Sequence, residues 1–203
     1  MAVIINGDTG IDKITDGSVV AADIGAGEVG STQLASTLDL TGKTVTLPAG
    51  TGGKILQVVS TTKTDTFSTS STSYTDVTSL SASITPSSAS SKILVIVNVL
   101  GSQDVNGNRI FMKLLRDSTS ICIGDSAGSR DRVSFGSSSY ETVFMTTWSQ
   151  NYLDSPSTTS ATTYKIQMRV SGTTGFINRA DDDTDSSIHQ RGASTITLIE
   201  VGA

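Results

Sequence analysis

The chain is poor in the residues on which metal, thiol and redox chemistry depend. Its 203 residues include one cysteine and one histidine. The lone Cys122 cannot form an intrachain disulfide. It lies in the apolar stretch Ile121-Cys122-Ile123, where a buried free thiol is expected. Charged residues make up 16% and aromatics 5%, and the net charge is −5. Nucleic-acid binding needs a basic footprint, so no nucleic-acid partner is expected. There is no run of Lys or Arg to hold an acidic membrane surface. The longest apolar run, Ile93 to Leu100, is broken by Asn98 and is too short to cross a bilayer, so no membrane insertion is expected. The start, MAVIINGDTG, has neither a basic region nor a long apolar core and does not read as a signal peptide. Assembly in a cytosol is the expectation.

What the chain has in abundance is serine and threonine, roughly three residues in ten, which compete with a helix for its backbone hydrogen bonds. Thr, Val and Ile suit strands instead. Glycine is frequent, at 19 residues, and proline rare, at 3. Apolar residues reach 36%, low for an isolated globule but workable if surface is buried between subunits.

Two regions follow different rules, with the change near Gly50 to Gly53. Before it, Ile14, Val19, Ile24, Val29 and Leu34 recur every five residues. The units DGSVVAADIG (Asp16 to Gly25) and AGEVGSTQLA (Ala26 to Ala35) overlay, with Gly17 on Gly27, Val19 on Val29 and Ile24 on Leu34. A five-residue step fits neither helix nor strand. One such chain has a thin apolar row and almost nothing to pack it against, whereas identical neighbours could bury their rows along a common axis. Residues 1–50 therefore read as a trimer-axis stalk and anchor. Its reach is at most roughly 150–180 Å for a fully extended chain.

After Lys54 the pattern is that of strands. Those expected are Lys54 to Ser60, one or two within Tyr74 to Thr85, Lys92 to Leu100, Arg109 to Arg116, Ser120 to Gly124, Glu141 to Gln150, Tyr164 to Ser171 and Ser194 to Val201, separated by turn-rich segments. Such a series reads as an all-β head over 54–203, a β-sandwich or jelly roll. In Tyr164 to Val170 apolar and polar residues alternate, giving one buried and one wet face. Ile93 to Leu100 is apolar on both faces, as is Ile196 to Val201. A two-layer sandwich leaves one face of each sheet to solvent, so a doubly apolar strand calls for a covering subunit. Leu94, Ile96, Ile196, Leu198 and Ile199 are the candidate subunit contacts. Cyclic three-fold closure would leave one axis to carry the stalk, so a homotrimer is expected.

Several short motifs imitate catalytic or binding sites. Gly25-Ala26-Gly27-Glu28-Val29-Gly30 matches GxGxxG but falls inside the five-residue repeat, with no βαβ pattern after it. Thr41-Gly42-Lys43-Thr44 resembles the end of a phosphate loop, yet the first glycine of that motif would fall on Thr37. Gly124-Asp125-Ser126-Ala127-Gly128 matches GxSxG, with Asp181, Asp182, Asp183, Asp185 and then His189 downstream in hydrolase order. A nucleophile elbow needs a strand-to-helix turn on a parallel sheet, and no such turn is predicted. The cluster Asp181 to Asp185 lacks the spacing of a calcium loop and reads as solvated, flanked by Arg179 and Arg191. Trp148 shares a strand face with Phe144 in this reading and is expected in the core; Tyr140 and Tyr152 are the other aromatics weighed for contacts. No catalytic residue, cofactor or metal site is expected, and no enzyme. The loop Asp125 to Ser139 is the better candidate for outside contacts.

The segment INGDTGIDKITDGSVVAADIG resembles the start of many tailed-phage tail-fibre and related virion proteins, especially those of marine phages. ITPSSASSKILVIVNV and YLDSPSTTSATTYKIQMRV resemble their C-terminal β-domains. The resemblance implies a trimeric virion fibre with a jelly-roll head. It implies an N-terminus docked on another virion protein and head loops that contact a host-surface glycan or protein. A head fibre or capsid decoration protein on the shell is the alternative, and a fibre-borne glycan esterase a third reading.

Overall fold

A computed structural model describes residues 55–105, 107–138 and 144–202. The five stalk residues, the GxGxxG and TGKT motifs and Tyr140 lie outside the described residues. The described chain forms strands β1 (Ile55–Lys63), β2 (Phe67–Thr69), β3 (Thr75–Ile84), β4 (Lys92–Gln103), β5 (Arg109–Arg116), β6 (Thr119–Ile121), β7 (Phe135–Ser138), β8 (Thr146–Asp154), β9 (Thr162–Val170), β10 (Gly175–Ile177) and β11 (Ser194–Val201). There is no helix among the described residues.

The strands pair in two antiparallel sheets, so the all-β expectation stands as a β-sandwich. In the first sheet β1, β11, β4 and β8 lie side by side, and β10 and β2 continue it past the end of β11. In the second, β3, β9 and β5 are neighbours, with β6 and β7 sharing the far edge of β5. Two-residue periodicity decides which side chains face inward. In β9, Tyr164, Ile166, Met168 and Val170 are fully buried. In β4 the same holds for Ile93, Val95, Val97 and Val99. In β3, Val77 and Leu80 both point inward although three positions apart. A bulge between Asp76 and Ser81, with Ser79 at φ 61°, supplies the change of phase.

The inner rows of the first sheet are polar at both ends and apolar between. One end row is Gln57, Glu200, Ile93 and Asp154; the other is Lys63, Ser194 and Val99 beside Trp148. Asp154 and Lys63, the buried charged groups of these end rows beside Glu200, are paired. Tyr164 Oη of the second sheet donates to Asp154 Oδ2 at 2.6 Å, and Arg116 Nη1 reaches both Asp154 oxygens at 3.0 and 2.9 Å, so this group ties the sheets together. Lys63 Nζ meets Asp65 Oδ2 at 2.9 Å.

Several boundaries differ from the sequence reading: β1 and β4 run on to Lys63 and Gln103 instead of ending at Ser60 and Leu100, and two further segments shift. The segment expected as Glu141 to Gln150 has its strand at Thr146–Asp154, and Phe144 precedes the strand, 62% exposed. Trp148 is buried as expected, but without Phe144 beside it on the strand. The segment expected from Ser120 to Gly124 is confined to Thr119–Ile121. Cys122 beyond it is half-buried, in a left-handed conformation (φ 51°), and accepts a hydrogen bond from Gln150 Nε2 at 3.1 Å.

Candidate functional surfaces

The two outer faces of the sandwich differ in chemistry. On the first sheet, register places Val58, Ile199, Leu94 and Leu153 opposite one another across β1, β11, β4 and β8. Val58 is 56% and Leu153 48% exposed, while Ile199 and Leu94 are half-buried. Ile96 follows in the next row, between Thr197 and Asn151. Beyond it the face turns to hydroxyls and amides that satisfy one another: Ser60 Oγ and Thr197 Oγ1 lie 2.8 Å apart, and Ser149 Oγ donates to Asn98 Oδ1 at 2.6 Å. Across these four strands the only charged residue on the outer side is Lys92, at the rim.

Of the five candidate contact residues, Leu94, Ile96 and Ile199 stand on this outer face. Ile196 and Leu198 do not: both are fully buried between the sheets. They belong to the chain's own core, because β11 turns its even-numbered residues inward, and they leave no surface for a partner.

The second sheet's outer face is laced with charge. Lys165 Nζ pairs with Asp76 Oδ2 at 2.7 Å, and Gln167 Nε2 donates to Asp76 Oδ1 at 2.8 Å. The Lys165 hydrogen bond, with that of Gln167, holds the Asp76 carboxyl below its usual range. Arg169 lies 4.0 Å over the Phe111 ring and Lys113 4.0 Å over that of Tyr74. Arg169 also pairs with Asp131 in the loop between β6 and β7, and so fastens that loop to this face. Within the loop Arg132 Nε donates to the Gly124 carbonyl at 2.6 Å, and residues 124–132 are exposed. This is the loop singled out for outside contacts.

Of the hydrolase-like residues, His189 is paired with Asp182, but no hydrogen bond joins Ser126 to either. Ser126 sits in that exposed loop between two strands, not on a strand-to-helix turn. His189 Nδ1 lies 3.1 Å from the Thr184 carbonyl and Nε2 3.5 Å from Asp182. In the acidic cluster, Asp183 is held by both flanking arginines, Arg179 at 3.1 Å and Arg191 at 2.7 Å. Asp182 accepts from the Thr184 hydroxyl and, at 3.0 Å, from its backbone N, and these bonds lower its pKa in that order. Asp181 is shifted upward, by burial first and by Asp104 second. Among the described residues no group of three carboxylate, histidine or cysteine side chains is placed to hold a metal ion.

No family model and no curated protein matches the chain. Among solved structures it is similar to that of the infectious bursal disease virus Gx strain, at 12% identity over 77% of this chain and 42% of that one, with a TM-score of 0.41. The chain thus spans less than half the length of that neighbour, and a likeness this distant says nothing about function.

Proposed function

We propose that the chain is a structural virion protein, a trimeric phage fibre whose residues 1–50 form the stalk and anchor and whose β-sandwich is the head that attaches to the host surface. The observation that carries this reading is the pairing of two segments with one need. Residues 1–50 carry an apolar row at five-residue spacing that identical neighbours could bury, and the head has an exposed, almost charge-free face across β1, β11, β4 and β8. Counting β1 with β2, β6 with β7 and β10 with β11, the chain visits the sheets in the order first, second, first, second, second, first, second, first. That winding supports a jelly-roll head. No catalysis is required. Three modest sites on each fibre, multiplied over many fibres, give firm attachment through effective concentration.

The experiment has two parts. Mass in solution should give trimers for the full chain; monomers alone would overturn the reading. A label on the C-terminus should then be seen by electron microscopy at the tail of intact particles, and purified trimer should compete with particles for adsorption to host cells. A label on the capsid shell with no competition would replace attachment by shell decoration.

A further inference from the structure

We infer that the outer face of the first sheet is the contact between heads, and that its occupant is a second copy of this chain. This rests on the trimeric reading above and deepens it by naming the surface. Val58, Ile199, Leu94 and Leu153 form one apolar row across all four strands, with Ile96 behind it. A strand face that meets solvent is expected to alternate in charge or polar groups. The outer face of the second sheet does this, with Asp76, Lys113, Lys165 and Arg169. Across β1, β11, β4 and β8 the first sheet's outer face has only Lys92, at its rim. Depletion of charge around an apolar centre marks the core of a protein contact. The polar half can also be covered at little cost, because Ser60 is paired with Thr197 and Ser149 with Asn98.

What identifies the occupant is the chain outside the structure. Fifty-four residues precede Ile55, and Ile55 pairs with Val201 two rungs from the row. Those residues carry the apolar spacing that identical neighbours would bury. Copies joined there are tethered beside the row, at an effective concentration that a free partner would not reach. Leu56, at the bulge between Ile55 and Gln57, is 48% exposed and extends the apolar surface toward that junction.

The test uses the full chain. Hydroxyl-radical footprinting reads side-chain access at Val58, Leu94 and Leu153, with Ile188 (78% exposed) and Phe144 as references. In the trimer the row should be labelled several-fold more slowly than Ile188. Leu153→Glu should abolish that protection and lower the denaturant concentration at which trimers dissociate, while Lys113→Glu on the other sheet should do neither. Circular dichroism checks that both variants fold, and the wild-type footprint decides the matter if they do not. A trimer whose row is labelled as fast as Ile188 overturns this contact and leaves the fibre reading standing. A monomer with a labelled row overturns both. A monomer with a protected row would assign the cover to the chain's own first 54 residues, and also overturns both.

Discussion

Glu200 is fully buried in β11, yet its carboxyl titrates at about 2. Burial by itself pushes it up; hydrogen bonds from Ser87, Gln57 and Ser91 outweigh that. The Ser87 backbone N and Oγ each donate at 2.7 Å, and Gln57 Nε2 at 2.6 Å. The folded group is therefore more acidic than the unfolded one. Its contribution is fully present above about pH 4.5, the ordinary value, and is lost as pH falls through about 2. Glu200→Gln should lower the urea midpoint at pH 7, and the gap to wild type should close as pH drops from 4.5 toward 2. A gap that does not change with pH would refute this account. Asp154 gives a second contrast. Asp154→Ala strips the partner from the buried Tyr164 hydroxyl and from Arg116, and should cost on the order of 3 kcal/mol. Tyr164→Phe leaves the Arg116 pair in place and should cost about 1–2 kcal/mol. Denaturant titration of both variants checks the order; equal losses would mean that the arginine pair contributes nothing.

Between β10 and β11 the first sheet is stitched by Asn178, which is fully buried and left-handed at φ 63°. Its Nδ2 donates to the carbonyls of Lys63 and Asp65 at 2.8 and 2.9 Å, its Oδ1 accepts from Ser194 Oγ at 2.6 Å, and its backbone N donates to Leu100 O at 2.8 Å. Asn178→Gly and Asn178→Ala both lose the side-chain bonds, but only alanine adds the left-handed penalty of about 1 kcal/mol. Alanine should therefore melt lower than glycine, the reverse of the usual order in a strand; the usual order would show that the backbone relaxes. Gly101 constrains the same region, since a Cβ there would strike the Phe176 carbonyl and the Trp148 ring. The long strands were legible because β9 alternates apolar and polar residues, and because β4, β5 and β11 are apolar-rich runs of eight residues or more between turn-rich segments. β2, β7 and β10 were not, because three or four residues are too few to show a period. The start of β8 was misplaced because Val143 and Phe144 are apolar in sequence, and its end because polar Asn151, an outer-face rung of the strand, interrupts the apolar pattern. The polar end rows were invisible for another reason: Gln57 and Glu200 are 143 positions apart, and no local pattern announces such a pair. Of the candidate contacts, alternation alone puts Leu94 and Ile96 on one side of β4 and Ile199 opposite Ile196 and Leu198 on β11, but that Ile199 shares a side with Leu94, and which side faces out, depends on the register of the partner strands.

At the scale of the whole molecule, the two outer faces predict opposite responses to salt. Contacts between exposed charges are screened over roughly 10 Å at 0.1 M ionic strength and only about 3 Å at 1 M. An assembly held through the second sheet would use Asp76, Lys113, Lys165 and Arg169, whose surface pairs contribute little even in dilute buffer. An assembly held through Val58, Leu94, Leu153 and Ile199 buries apolar area, which salt does not weaken. Trimer mass, followed by sedimentation at low protein concentration while sodium chloride rises toward 1 M, should therefore stay constant. Urea should dissociate the trimer by solvating the same apolar row. Dissociation by salt alone would move the contact to the charged face. Adsorption to cells should behave differently if the head meets its receptor through the second sheet and the loop that Arg169 fastens there. Salt would then weaken adsorption while the trimer persists, separating the surface that assembles from the surface that binds.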